Sequence, residues 1–256
     1  MPTVRTEAVV GFGVQLAVLA VLAGTAGLGW AGSLAGIGYG LVVLALLRRC
    51  RLGPADRVTL ARATLIGGVT ALVAESVLRP EPVALLVPLA AVALVLDAVD
   101  GWVARRTGTV SELGARFDME ADAFLILVLS GYVAGSFGAW VLALGLMRYA
   151  YVAAGWLMPW LRTTVPPRHW RKVVAAIAGV ALTLAASDLL PLRVDDVVTL
   201  IALALLIESF GRDIVWQFGA HRAVRRSQPK GIAPTRTPTS SITSETTHAR
   251  HNTFLW

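Results

Sequence analysis

Four aspartates lie close together in the sequence of an otherwise apolar chain. Asp97 and Asp100 are three residues apart at the end of one apolar run, and Asp118 and Asp122 are four apart at the start of the next. Each pair falls on one helical face, because residues three and four apart are neighbours on a helix surface. Residues 105–113 between the pairs suit a short turn that folds the second helix back. All four carboxylates are therefore expected to converge.

Such a cluster is unfavourable by itself, since like charges a few ångströms apart in a reduced dielectric repel each other strongly. Divalent cations remove this repulsion, and an all-oxygen ligand set suits Mg²⁺ or Mn²⁺. Protein-bound Mg²⁺ is commonly held by a few carboxylates together with substrate phosphates. The cluster therefore predicts a divalent metal and a substrate that carries a diphosphate or a phosphodiester.

Residues suited to phosphate contact accompany the aspartates. Gly101 and Gly114 lack side chains, so a phosphate or a facing helix can approach the backbone closely at both points. Arg105 lies one helical turn beyond Gly101 and suits a charge-assisted hydrogen bond to a phosphate oxygen. Ser111 and Thr109 offer hydroxyl groups to the same ligand. We expect these residues to bind the substrate phosphates.

The rest of the chain is unusually apolar. Of its 256 residues, 56% are hydrophobic and 15% are charged, and the mean hydropathy is +0.67. Apolar runs recur that are long enough to cross a hydrocarbon core of roughly 30 Å. The sequence therefore predicts an all-α, polytopic transmembrane bundle of eight helices. The predicted spans are residues 8–29, 31–47, 57–78, 83–104, 115–135, 139–161, 172–190 and 195–216.

The two N-terminal spans admit other interpretations. Residues 31–47 are short and rich in glycine, which is common where membrane helices pack closely but also fits a re-entrant or interfacial segment. Residues 1–30 share features with a signal peptide, yet the apolar run exceeds a usual h-region and no clear cleavage site follows it. An N-terminal transmembrane hairpin over residues 1–50 is the favoured interpretation.

Basic residues predict the orientation, because Lys and Arg collect in the short cytoplasmic loops of membrane proteins. Most of the Lys and Arg residues in the loops between the predicted spans fall on one side of the bundle. They are Arg48, Arg49, Arg51, Arg57, Arg105, Arg106, Arg116, Arg162, Arg168, Arg171 and Lys172. The aspartates lie on the same side, so the site is predicted to face the cytoplasm of a multi-pass plasma-membrane protein.

The segment from residue 221 onward is rich in Ser, Thr, Pro and Arg and lacks the apolar residues needed for a core. It is predicted to be a disordered cytoplasmic tail. Six basic residues against one acidic residue give it +5 of the formal net charge of +7. Attraction to anionic lipid headgroups accounts for this charge, and no nucleic-acid partner is predicted.

Two arginines inside predicted spans are further candidates for substrate binding. Arg62 lies one turn inside the third span and is a candidate for contact with a substrate phosphate. Arg148 lies near the middle of the sixth span, where a charge is costly enough to suggest a function. It is expected to point into the bundle and to pair with the aspartates or an acceptor phosphate. Glu208, Arg212 and Asp213 either line the cavity or pair with each other.

The complete pattern is Asp97-x2-Asp100-Gly101-x2-Ala104-Arg105-x8-Gly114-x3-Asp118-x3-Asp122. It occupies all eight fixed positions of the signature of the class I CDP-alcohol phosphatidyltransferases, and the sequence resembles that family. The six spans from about residue 57 to 216 also resemble the family's six-helix core. Residues 54–63, PADRVTLARA, resemble the segment that precedes the family's first core helix.

The resemblance implies a helical bundle, commonly a homodimer, that acts in phospholipid biosynthesis. Such an enzyme transfers a phosphatidyl or related phosphoalcohol group from a CDP-alcohol, such as CDP-diacylglycerol, to an acceptor alcohol and releases CMP. Asp97, Asp100 and Asp118 would hold two divalent ions, Mg²⁺ or Mn²⁺. Asp122 would be a further ligand and the catalytic general base.

By the same resemblance, Gly101 and Arg105 would contact the phosphates of the donor. The catalytic membrane domain is predicted over residues 51–220, followed by the tail over 221–256. Ala123 stands where many members that use glycerol phosphate have a lysine. This departure lowers the odds of that acceptor without identifying another.

Other functions stay open on the sequence alone. A membrane prenyltransferase also binds a diphosphate through Mg²⁺ and helical aspartates, but it usually needs a second aspartate-rich motif on the same side. Here Asp188, Asp195 and Asp196 fall in a loop predicted on the opposite side. A cation transporter or channel could use the aspartates as an ion site, although it needs no Gly and Arg at these spacings. A non-catalytic homologue is the last alternative.

Overall fold

The computed structural model describes residues 4–47, 54–79, 83–107, 112–162 and 169–227. Within these ranges the regular structure is entirely helical. The α-helices are α1 (Val4–Ala26), α2 (Trp30–Leu47), α3 (Pro54–Ser76), α4 (Val83–Thr107), α5 (Glu112–Phe137), α6 (Leu142–Leu157), α7 (His169–Ala185) and α8 (Leu192–Ser227). Short 3₁₀ turns at Ala139–Val141 and Pro159–Arg162 flank α6. The all-α fold class is confirmed.

Glycine and proline residues set several helix boundaries. Gly27, directly after α1, has φ +69°, and Gly138, directly after α5, has φ +98°. Both values lie in the left-handed region, which glycine adopts without a steric penalty, so the chain can turn sharply into the next helix. Helix α3 begins at Pro54, whose fixed φ suits the first turn of a helix.

Helix α3 lies at the centre of the bundle. It packs against α1, α2, α4 and α5, while α7 packs against α5 and α8. Its residues Ile66, Val69 and Leu72 are completely buried and recur at helical spacing on one face. Because four helices contact α3, its side chains are held firmly relative to α4 and α5.

Five helices in the described part of the chain are long and apolar enough to cross a membrane. They contain residues Ala8–Ala26, Trp30–Leu47, Val58–Ser76, Gly114–Phe137 and Ala139–Leu157, and α4 contributes a shorter apolar stretch, Val83–Val99. The chain is an integral membrane protein. All eight predicted spans correspond to helices, but α7 has only 17 residues and α8 carries charged side chains along its length.

Helix α2 is continuous, as expected for a span and unlike a re-entrant segment. Gly32, Gly36 and Gly40 are buried in it. A Cβ atom at Gly32 would lie 2.6 Å from the carbonyl oxygen of Ala71 in α3. The glycines of this helix therefore allow the N-terminal hairpin to pack tightly on α3, which is the packing expected of small residues.

The last helix is longer than the sequence suggested. The predicted tail begins at residue 221, yet α8 continues to Ser227. Aromatic contacts support this extension: Phe218 packs edge-on against Trp160 with ring centroids 5.6 Å apart, and the Arg222 guanidinium lies 4.3 Å above the Phe218 ring. The predicted tail beyond Ser227 lies outside the described residues.

Candidate functional site

Three of the four aspartates meet where α4 and α5 approach α3. Asp97 comes from α4, and Asp118 and Asp122 come from successive turns of α5. One carboxylate oxygen from each lies within 4.8 Å of the others. The described part of this site, called the carboxylate cluster below, consists of Asp97, Asp118 and Asp122. Its convergence was predicted from the spacing of the aspartates.

The guanidinium group of Arg62, from α3, lies inside the carboxylate cluster. Its Nη1 atom is 2.5 Å from Oδ1 of Asp97 and 2.7 Å from Oδ1 of Asp118, and its Nη2 atom is 3.1 Å from Oδ1 of Asp122. Nη2 also donates a hydrogen bond to the backbone carbonyl of Asp118 at 3.0 Å. Arg62 is 0% exposed, so one buried cation links all three carboxylates.

Negative charge exceeds positive charge among the described side chains of this site. Besides Arg62, the Nζ atom of Lys172 in α7 lies 3.5 Å from Oδ2 of Asp118, so two cations face three carboxylates. The Arg62 contact to Oδ1 of Asp118 lacks hydrogen-bond geometry, and this buried oxygen has no hydrogen-bond partner in the described structure. An extra cation would therefore be stabilised here.

The cluster is accessible on one side. The side chains of Asp97 and Asp122 are 31% and 26% exposed, whereas that of Arg62 is 1% exposed. Accessible hard oxygen ligands above a buried cation suit Mg²⁺ or Mn²⁺, which retains water or substrate oxygens among its ligands. The residues present therefore fit a divalent metal ion.

The remaining predicted residues of the motif are only partly described. Helix α4 runs without a break through Asp100, Gly101 and Arg105, but the side chains of Asp100 and Arg105 lie outside the described structure. Gly114 lies in the first turns of α5 and is half-buried. Ser111 lies outside the described residues. The backbone thus carries the predicted motif on two adjoining helices.

Arg148 points into the bundle, as predicted. It is 7% exposed and forms an ion pair with Glu120 of α5. Glu120 lies on a different face of α5 from Asp118 and Asp122, because residues two apart on a helix do not share a face. The described ion pair of Arg148 is therefore with Glu120 and not with the expected aspartates. The sequence did not identify Glu120 as its partner, because Glu120 is not part of the spaced motif.

Two further contacts were not foreseen. Lys172 at the start of α7 contacts Asp118. The sequence places Lys172 among the basic residues on the same side of the membrane as the aspartates, and this position is a signal for the contact. Tyr39 of α2 stacks on Phe124 of α5 with ring centroids 5.0 Å apart, which brings α2 next to the site. No motif marks Tyr39.

The charged residues of α8 pair with neighbours. Arg212 forms an ion pair with Glu208 one turn away, and Arg171 lies 3.2 Å from Asp213. Glu208 also accepts a hydrogen bond from the indole of Trp170 at 3.1 Å. The expectation that Glu208 and Arg212 pair with each other is confirmed.

A family model described as CDP-alcohol phosphatidyltransferase matches residues 54–208, from the start of α3 into α8. The chain belongs to this family. The CDP-alcohol phosphatidyltransferase match includes the carboxylate cluster, Arg62 and Arg148 and leaves α1 and α2 outside it. No significant match was found among curated proteins or solved structures.

Proposed function

We propose that this CDP-alcohol phosphatidyltransferase transfers the phosphatidyl group of CDP-diacylglycerol to an acceptor alcohol, with release of CMP, in phospholipid biosynthesis. Family membership supports the general reaction. The observation that carries the proposal is the meeting of Asp97, Asp118 and Asp122 around a buried arginine within the family-matched helices. Such an accessible, negatively charged cluster suits a metal-dependent reaction of a diphosphate.

Asp97, Asp118 and Asp122, together with Asp100, are the proposed ligands of two Mg²⁺ or Mn²⁺ ions. When bound, the ions neutralise charge on the donor diphosphate and on the departing CMP. The chain's own basic residues support the same substrate: Arg105 is proposed to pair with a donor phosphate. Gly101, Gly114 and Ser111 are the other proposed donor contacts.

Asp122 is the proposed general base. As the acceptor hydroxyl oxygen attacks the phosphorus that carries the diacylglycerol, its proton passes to the Asp122 carboxylate. A new phosphorus–oxygen bond forms, and the bond from that phosphorus to the CMP oxygen breaks, so CMP leaves with the bonding electrons. Arg62 contacts all three carboxylates and is proposed to hold them in position.

Arg148 is proposed to bind the acceptor when that molecule carries a phosphate. Its burial and its ion pair with Glu120 hold a cation inside the bundle, within the family-matched residues. A phosphate that approaches Arg148 would replace Glu120 as its anionic partner. An Arg148→Gln variant is then expected to raise KM for a phosphorylated acceptor more than it lowers kcat, while KM for the donor is unchanged.

We further propose that the site faces the cytoplasm of the plasma membrane and that the protein forms a homodimer. The support for the orientation is the concentration of basic residues on the side of the aspartates. The support for the dimer is the family resemblance. A cysteine-accessibility assay at the start of α7, the end of the helix that carries Lys172, tests whether this side of the protein faces the cytoplasm.

The direct test of function is CMP release from CDP-diacylglycerol by the purified protein with Mg²⁺ or Mn²⁺, across a panel of acceptor alcohols. One acceptor is expected to drive CMP release in the wild type, and Asp122→Asn is expected to abolish it. A folded wild type that releases no CMP with any acceptor would refute the phosphatidyl donor and favour a different CDP-alcohol.

A further inference from the structure

A cavity of about 300 Å³ lies between α2 and α5, with α3 and α6 at its edges. This volume is at the lower end of the range for ligand pockets, so the cavity can hold part of a lipid rather than a whole one. We name it the α2–α5 cavity. Its lining residues are Ala35, Tyr39, Val42, Val43, Leu46, Thr70, Phe117, Glu120, Ala121, Phe124 and Tyr149.

The lining of the α2–α5 cavity is mainly apolar. Aliphatic side chains of α2 form one wall and phenylalanines of α5 form the other. Val42 and Leu46 are 58% and 63% exposed on a helix that is apolar enough to span the membrane, so they form a rim toward lipid. Glu120 and Tyr149 add polar groups on the α5 and α6 side. An apolar space with a polar end suits a hydrocarbon chain that continues into a polar group.

The cavity lies at the level of the carboxylate cluster along α5. Its α5 residues Phe117, Ala121 and Phe124 are on the same turns as Asp118 and Asp122 but on a different face of the helix, because adjacent residues are turned by about 100°. Tyr39 closes the gap between the helices by stacking on Phe124. A lipid whose diphosphate is bound at the aspartates therefore has an apolar space within reach of an acyl chain, since a helix with its side chains is only about 10–12 Å across.

We propose that the α2–α5 cavity holds one acyl chain of a two-chain CDP-alcohol donor. The inference rests on the proposed function, because the position of the diphosphate is what brings the donor's chain to this space. The proposal assigns a function to α2, which lies outside the family-matched residues. This helix supplies one wall of the donor site and thereby selects donors with long acyl chains.

We expect the cavity to position the bound donor rather than to attract its acyl chain. In a bilayer the acyl chain is already surrounded by hydrocarbon, so its entry into an apolar cavity gains little from the hydrophobic effect. A fixed chain instead restrains the glycerol backbone and the attached phosphorus relative to Asp122. Small displacements at a reacting centre lower rates strongly, so a filled cavity should lower kcat/KM for long-chain donors.

The test fills the cavity from α2. Ala35→Trp introduces an indole into the lining, and Leu34→Trp adds the same indole at a neighbouring residue that is 63% exposed and does not line the cavity. Donors are CDP-dioleoylglycerol and CDP-dibutanoylglycerol, whose short chains do not fill the space. Ala35→Trp is expected to lower kcat/KM for the long-chain donor by about tenfold to a hundredfold, and the short-chain donor and Leu34→Trp are expected to be unaffected.

A second variant and a second readout keep the test decisive. Val42→Trp changes a rim residue that is already exposed, so it should fold where Ala35→Trp does not, and it is expected to show the same chain-length effect. In addition, a CDP-diacylglycerol with a photoreactive group on one acyl chain is expected to label residues 35–46 of α2 or 117–124 of α5 in the wild type.

The outcomes separate this inference from the proposed function. If the wild type releases CMP but Ala35→Trp and Val42→Trp treat both donors alike, or if the label falls on α7 or α8, the acyl-chain site is refuted while the proposed function stands. If the wild type releases no CMP from any donor, the proposed function fails. Labelling of α2 would in that case still support the cavity as a lipid-chain site.

Discussion

Helix α3 carries one buried charge in each half, and the two are stabilised in different ways. Arg62 and Glu75 are both 0% exposed. Arg62 contacts three carboxylates from two other helices. Glu75 accepts a hydrogen bond from the backbone N–H of Gly32 at 2.9 Å, and its other oxygen lies 3.3 Å from Arg79 of the segment that follows α3.

The environment of Glu75 is that of a structural anchor. Gly32 is in the first turn of α2, where backbone N–H groups lack helical partners and negative charge is favourable. One cation and one donated hydrogen bond balance the charge of the carboxylate, although its Oε1 atom contacts Arg79 without a hydrogen bond in the described structure. At Arg62 the described carboxylates outnumber the cations, which is unfavourable for stability without a ligand. A local excess of charge is thus found at the candidate active site, and a balanced charge is found where the hairpin attaches.

The largest effect is expected from Asp122→Asn, which removes the proposed base and a metal ligand. Loss of several kcal/mol of transition-state stabilisation corresponds to a fall in kcat of about a thousandfold or more. The Tm without metal should be unchanged or higher, because one of the repelling charges is gone. CMP release and a thermal melt measure the two quantities.

Asp196→Asn is the matched control, since this aspartate lies at the start of α8, far along the chain from the motif. It should keep full activity. Equal loss of activity in both variants would show that the effect is not specific to the carboxylate cluster.

Arg62→Met should have the largest effect on stability. Removal of one partner from a buried ion pair costs about 3–5 kcal/mol, and here three carboxylates lose their shared cation. Added Mg²⁺ should restore part of the lost Tm, and should raise the Tm of this variant more than that of the wild type. A Tm that is insensitive to the substitution would contradict the role of Arg62 in holding the cluster.

Glu75→Ala should lower stability without a specific effect on catalysis. The buried N–H of Gly32 would lose its acceptor, at a cost of about 1–3 kcal/mol. Glu75→Gln keeps an acceptor oxygen and should recover much of this loss. Chemical denaturation and kcat per folded molecule are the measurements, and a drop in kcat at full folding would mean that the two halves of α3 are functionally coupled.

Gly32→Ala and Gly38→Ala form the mildest comparison. At Gly32 a Cβ atom would meet the Ala71 carbonyl oxygen, whereas at Gly38 it has nothing within 4 Å. The first substitution should destabilise by about 1–3 kcal/mol through overpacking, and the second should be neutral or stabilise by up to about 1 kcal/mol. If melts of the two variants coincide, the hairpin does not pack on α3 as described.

The sequence predicted the features that depend on local patterns. Long apolar runs predicted the helices, because a segment that crosses lipid must form its backbone hydrogen bonds internally. The three- and four-residue spacings predicted that Asp97, Asp118 and Asp122 converge, since helical periodicity determines which side chains share a face.

Other features depend on tertiary contacts and have no local signal. Whether Arg62 enters the cluster is decided by the rotation of α3 against α4 and α5, so its position in the sequence predicts no more than a candidate contact. Glu75 has no distinguishing sequence signal, because an acidic residue at the end of an apolar run is common and its partner is a backbone group on α2. The end of α8 depends on the packing of Phe218 against Trp160, which composition does not report.

Titration of the purified protein with Mn²⁺, followed by electron paramagnetic resonance, measures whether the carboxylate cluster binds a divalent cation. We expect protein-bound Mn²⁺ that Mg²⁺ displaces, with binding strongly weakened in Asp118→Asn and Asp122→Asn and unchanged in Asp196→Asn. Absence of bound Mn²⁺ in the folded wild type, both alone and with CDP-diacylglycerol, would show that the cluster is not a metal site.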